Sequence, residues 1–197
     1  MKEEFEWIKS LCNHTDKNDL PRVLLVGDSI TEGYQAKVNE KLMGKCYVDY
    51  VAASYSIDGD VYNNLILSFV NDSKYDIIHF NYGLHAIHVP EEIYKDRLKK
   101  ILKNMPKNCK IILALTTCVF KCGNEVVDGF YKELVEKRND VMLEIAEKNG
   151  YVVDDLYSVS KSIVLTDRNP DGTHYLDNGN EILAKVVANK IKEVLNG

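Results

Sequence analysis

The chain has 197 residues, 45% of them hydrophobic and 28% charged, with 25 basic against 30 acidic side chains for a formal net charge of −5. A chain of this length hides roughly 70% of its unfolded surface, enough core to fold without disulfides or metal, and its balanced composition excludes disorder and disulfide scaffolds. No concentrated basic stripe of the kind a nucleic-acid groove needs is present, and the longest aliphatic stretches, such as Ile111–Leu115, fall far short of the roughly 20 residues that cross a bilayer.

The first residues, Met1 to Trp7, are acidic and amphipathic without an apolar signal core. A helix is expected from about Glu3 to Cys12, within an N-terminal addition over residues 1–20 that packs outside the repeating unit. Apolar runs of strand length then occur at Arg22–Gly27, Tyr47–Ala52, Asp76–Phe80, Lys110–Thr116 and Tyr151–Asp154. Helical spacing marks Tyr34–Met43, Val61–Val70, Glu91–Asn104, Gly129–Asn149 and Asn178–Leu195. Pro90 ahead of Glu91-Glu92 reads as a helix start and Gly150 as a helix stop. Five continuous apolar strands, each followed by a helix, predict a parallel sheet buried on both faces. Right-handed crossovers favour a three-layer α/β/α sandwich with flavodoxin-like strand order, in one domain spanning 1–197. The five cysteines, 12, 46, 109, 118 and 122, are an odd, scattered set that reads as free thiols, Cys118 and Cys122 included, in a cytoplasmic protein.

Ligands of open α/β sheets bind beyond the carboxyl ends of the strands. The residues expected there are Gly27-Asp28-Ser29-Ile30-Thr31, Ser56-Ile57-Asp58-Gly59-Asp60, Asn81-Tyr82-Gly83-Leu84-His85, Thr116-Thr117-Cys118 and Asp171-Gly172-Thr173-His174. Ser29 falls at a strand-to-helix turn, where helix-start amides can face a developing oxyanion. A serine hydroxyl needs a base held by a third group; His174 is a candidate base and Asp171 a candidate partner that fixes its tautomer. Read separately, Gly27-Asp28-Ser29 is also a polar turn capping a helix, and Asp171–His174 a turn leading into the last helix.

Taken in order, these blocks resemble those of SGNH hydrolases, the GDSL esterase superfamily, from about Arg22 to Leu195. The resemblance implies that Ser29 is the nucleophile, that Gly59 lends its backbone N–H to the oxyanion hole, and that Asp171 and His174 complete a catalytic triad. The third block departs from the family's usual Gly-x-Asn-Asp: here it reads Gly83-Leu84-His85-Ala86, similar to a branch with Gly-Leu-His at this place. His85 then inherits the oxyanion-donor role of the Asn, with Asn81 a competing donor, and must present a ring N–H.

Asp28, Tyr82 and Tyr175 are expected near bound substrate, and among the twelve tyrosines Tyr34, Tyr55 and Tyr62 also lie close in sequence to site residues. Stacking on a sugar and simple abundance of Tyr in loops both account for them. His79, His85 and His88 lack a Cys or Asp partner at ligand spacing, so no metal is expected, and no cofactor is required. The combined expectation is an esterase acting on a small-molecule ester. The small size, with no room for a lid domain, suggests short acyl groups, the resemblance favours acetyl carried by a carbohydrate, and no nucleic-acid or membrane partner is expected. A lysophospholipase or thioesterase, a catalytically silent ligand-binding relative, and a flavodoxin-like module with Ser29 and Thr31 cradling a phosphate are the competing readings.

Overall fold

The computed structural model describes residues 4–197. Its centre is a six-stranded sheet: β1 (Ile8–Leu11), β2 (Arg22–Gly27), β3 (Tyr47–Ala53), β4 (Ile77–Phe80), β5 (Lys110–Ala114) and β6 (Val152–Asp154), in the order β1-β3-β2-β4-β5-β6. The pairs from β3 through β6 are parallel, and only β1 joins antiparallel, with Ile8 opposite Ala53 and Leu11 opposite Tyr50. Without β1, the remaining five strands have the flavodoxin-like order.

The helices are α1 (Ser29–Leu42), α2 (Asp60–Asp72), α3 (Glu91–Lys103), α4 (Gly129–Asn149), α5 (Leu156–Ser162) and α6 (Asp177–Asn196). They cover both faces. Strand β2 shows why: all six of its residues are buried, and they alternate between layers. Val23 and Leu25 pack with Tyr34 and Val38 of α1 and with Leu183 and Val187 of α6. Leu24 and Val26 pack with Tyr62 and Ile66 of α2, Leu98 of α3 and Met142 of α4. Each such fully buried aliphatic side chain contributes about 1.5–3 kcal/mol. This is the three-layer α/β/α architecture that the strand and helix pattern predicts. Among the described residues no helix is long and apolar enough to cross a membrane.

Two elements differ from expectation. The helix foreseen over Glu3–Cys12 is absent where the structure describes that stretch; residues 1–3 lie outside the described residues. In its place Trp7 exchanges hydrogen bonds with Ser54, and β1 extends the sheet at its edge. All four β1 residues are exposed, so backbone pairing rather than an apolar face holds this strand, and apolar spacing carries no record of it. The second is α5, a short helix capped by Asp155, whose side chain accepts the Ser158 N–H.

Candidate active site

Chain direction gathers the site at one edge of the sheet. At the end of β2 the Asp28 side chain accepts the Ile30 N–H at 3.0 Å and caps α1, an interaction typically worth about 1 kcal/mol. The cap starts the helix at Ser29, five residues before the apolar spacing begins, and leaves the Ser29 N–H among the helix-start amides that have no intrahelical acceptor. Asp28 itself is buried, 1% exposed. It shapes the turn and does not face the cleft.

Asp171 and His174 arrive on the loop before α6. The Asp171 Oδ1 accepts the backbone N–H groups of Thr173 and His174 at 2.8 and 2.9 Å, and its Oδ2 meets His174 Nδ1 at 2.7 Å. The other ring nitrogen, Nε2, lies 2.8 Å from Ser29 Oγ. Residues 145 positions apart are thus joined in one hydrogen-bonded chain, carboxylate to imidazole to hydroxyl. Partial burial works to raise the Asp171 pKa, but the hydrogen bonds from His174 and Thr173 outweigh it and hold the carboxyl below its ordinary value. A hydroxyl so placed can pass its proton to the imidazole, and the carboxylate then stabilises the imidazolium.

The loop carrying this pair is braced from the β5–α4 connection. Phe120 N–H donates to the Gly172 carbonyl at 2.8 Å, Gly123 N–H to that of Pro170 at 2.9 Å, and the Cys122 thiol lies 3.4 Å from the Asp171 carbonyl. Gly172 sits at φ +81°, and a Cβ there would run into the Phe120 carbonyl oxygen, so the close approach requires glycine.

The cleft around Ser29 has a volume of about 480 Å³, within the usual range for small-molecule sites. Leu84 and His85, from a 3-10 turn after β4, lie on one side. Val119, Phe120, Cys122 and Asp128 line it from the β5–α4 connection, Tyr131 from the first turn of α4, and Trp7 enters from the segment ahead of β1. The His85 ring meets the Trp7 indole edge-to-face, with centroids 6.5 Å apart.

Of the expected blocks, Ser29, Leu84, His85, Asp171, Thr173 and His174 line this cleft, whereas the candidate site residues Asp28, Gly59, Asn81, Tyr82 and Tyr175 do not. The Gly59 N–H donates to the Ser56 carbonyl at 3.0 Å, closing a tight turn ahead of α2, so its one proton is taken. The Asn81 side-chain NH2 donates to the Ala114 carbonyl at 2.6 Å and ties β4 to β5; it is a sheet fastener, not a cleft donor. Tyr82 is fully buried, its hydroxyl donating to the Tyr55 carbonyl and its ring tilted against Tyr62. Tyr175 is 7% exposed and packs into the α1–α6 core. Tyr34 and Tyr62 are also buried.

Trp7, Phe120 and Tyr131 are the aromatic residues that do reach the cleft, and none stands beside a recognisable motif. The isolated Trp in a polar N-terminal stretch was the one available signal. His79, near the His85 and His88 pair in sequence, lies on the α1–α6 side with Nε2 3.1 Å from Asp154, both side chains buried.

No protein-family profile and no curated protein sequence matches the chain. Solved structures do match it in three dimensions. Axe2, an acetylxylan esterase from Geobacillus stearothermophilus, is similar at a TM-score of 0.71 and 19% identity, over 87% of this chain and 94% of that one. A lipase/acylhydrolase from Enterococcus faecalis is similar at 0.70 and 19%, over 88% and 96%. LAE5, an alpha/beta hydrolase enzyme from the metagenome of Lake Arreo, is similar at 0.65 and 16%, over 89% and 95%. At these identities the likeness establishes the fold.

Proposed function

We propose that this protein is an SGNH-type serine esterase, of the branch with Gly-Leu-His in its third block, that removes short acyl groups, acetyl first, from an uncharged alcohol such as a carbohydrate. The observation that carries the reading is the chain from Asp171 Oδ2 through His174 to Ser29 Oγ, at 2.7 and 2.8 Å. In the first step Ser29 Oγ attacks the ester carbonyl and His174 Nε2 takes its proton. The bond to the alcohol oxygen breaks as His174 hands that proton to the leaving group. Water then gives a proton to His174 and attacks the acyl-enzyme, and Ser29 Oγ recovers the proton as the carboxylic acid departs. Asp171 keeps Nδ1 protonated and Nε2 free to accept. The oxyanion is held by the Ser29 N–H and a ring N–H of His85, whose position on the cleft wall supports this role.

Charge favours this substrate class. Among the described residues lining the cleft none is Lys or Arg, while Asp128 and Asp171 are both present. Phosphate-bearing lysophospholipids and nucleotide thioesters would meet carboxylates without a compensating cation, whereas an acylated sugar brings no charge. The five free thiols suit a cytoplasmic setting, and the continuous sheet suits a single domain. The test is hydrolysis of a p-nitrophenyl acetate-to-octanoate series by wild type and Ser29→Ala. The reading expects activity concentrated on the shortest esters and lost in the variant; equal activity of the two proteins would refute it.

A further inference from the structure

In the sheet order, β2 and β4, whose ends carry Ser29 and the His85 turn, lie between β3 and β5. Trp7 stands beside the end of β3, Phe120 comes from the connection after β5, and Tyr131 from the first turn of α4 that follows it. These aromatic groups therefore close opposite ends of one cleft, with the Ser29 hydroxyl between them.

The two ends are chemically distinct. Phe120 and Cys122 bond directly to the loop that holds His174. In the proposed reaction His174 protonates the departing alcohol, so that end receives the alcohol. Trp7 is at the other end, edge-to-face with His85, where the oxyanion and the acyl substituent are directed. Trp7 is also held firmly through its backbone for a residue at a sheet edge. Its backbone N–H donates to Ser54 Oγ at 2.9 Å, and its carbonyl accepts the Ser54 N–H at 3.2 Å. Ser54 is 2% exposed, and its hydroxyl donates to Glu6 at 2.7 Å. The Lys9 ammonium lies 5.7 Å from the centre of the indole while pairing with Glu32 of α1 at 3.0 Å, which ties the strand to the nucleophile's own helix.

We propose that Trp7 is the specificity-determining wall of the acyl subsite: delivered by the N-terminal edge strand, it sets the length of acyl chain the enzyme accepts. This rests on the esterase reading above and adds to it the residue that limits the acyl group. A fixed indole across the path of the chain leaves room for an acetyl group and obstructs each further methylene. Removing it opens that path without touching Ser29, His174 or Asp171.

The test is the p-nitrophenyl acetate-to-octanoate series with Trp7→Ala and Trp7→Phe, each accompanied by thermal unfolding. Discrimination of one methylene in an apolar pocket is worth roughly 10-fold or more. Trp7→Ala is therefore expected to raise kcat/KM for hexanoate by about 10-fold over wild type, and Trp7→Phe to raise it less. Damage to the fold cannot produce a gain on a longer substrate. A parallel fall on all chain lengths, or an unchanged hexanoate-to-acetate ratio in both variants, would overturn the proposal. If Trp7→Ala does not fold, the Trp7→Phe ratio decides alone. The Ser29→Ala control separates the two readings: loss of acetate hydrolysis there, with no change of chain preference at Trp7, leaves the esterase intact and removes only the acyl wall.

Discussion

The guanidinium of Arg138, on α4, donates through Nη2 to the carbonyl of Ala86, one residue beyond His85, at 3.1 Å. The same nitrogen also contacts the Val89 carbonyl, and the guanidinium stacks over the Tyr94 ring at 4.6 Å. Tyr94 in turn donates its hydroxyl to the Tyr82 carbonyl at 2.7 Å. One buried cation and one buried phenol thus hold both flanks of the turn that presents His85. Next to Arg138, Asn139 grips Thr116 through both of its backbone groups, at 2.8 and 3.0 Å, and fixes the start of the loop that braces His174.

Removing the clamp should therefore affect stability and chemistry together. Arg138→Met loses charge-assisted hydrogen bonds to buried carbonyls and is expected to cost about 3 kcal/mol in urea unfolding. It should lower kcat more than it raises KM, because the proposed reaction has His85 donating to the oxyanion. An unchanged kcat in the folded variant would show that the His85 turn needs no such support.

Gly172→Ala should act more locally. The residue is at φ +81° with its Cβ directed at the Phe120 carbonyl, so the loop must shift to admit a methyl group. A small displacement of His174 from Ser29 is enough to lower kcat by about 100-fold. The expected pattern is that loss of kcat with a modest fall in Tm. Wild-type kcat would show that the contact does not position His174.

The depressed Asp171 pKa fixes a pH window. Its folded value lies below 3.8, so the carboxylate binds fewer protons in the folded chain than in the unfolded one as pH falls toward that range. The stabilisation is present in full above the unfolded value and is lost as pH falls through the folded one. The stabilising difference in Tm between wild type and Asp171→Asn should be present at about pH 5 and above and vanish in stronger acid. A difference that persists undiminished in strong acid would refute the assignment. The same variant should lose roughly 100- to 10,000-fold in kcat, since an amide can favour the wrong tautomer of His174.

The thiols should react unequally. Burial pushes Cys46 up to about 11 and Cys109 up to about 12, and also raises Cys118, which is 1% exposed. Cys122 is exposed and lines the cleft. A bulky maleimide is expected to label Cys122 first and to block hydrolysis as it does so, and Cys122→Ser should abolish that inactivation. Labelling of Cys122 with no loss of activity would contradict its place in the cleft.

Much of the scaffold was readable because burial on both faces leaves a plain mark. The segment RVLLVG has no polar interior position, and its strand spans Arg22–Gly27 as expected. The edge strand β1 leaves no such mark, since backbone pairing to β3 is independent of side-chain pattern. At the site, Ser29, Asp171 and His174 were legible because a turn and a loop can be placed at one sheet edge before any contact is known. Tyr82 and Tyr175 misled for the converse reason: nearness in sequence does not say which way a side chain points, and both turn into the core. The Arg138 clamp was not legible either, because its partners are carbonyl oxygens, which every residue has.

The central claim is that Ser29 is the nucleophile and that His174 activates it. Intact-mass measurement and peptide mapping after treatment with a fluorophosphonate test it directly, for wild type, Ser29→Ala and His174→Ala. One adduct on Ser29 in the wild type, none in Ser29→Ala and greatly slowed labelling in His174→Ala is the predicted result. An active wild-type enzyme labelled at another residue, or a Ser29 labelled equally fast without His174, would contradict it.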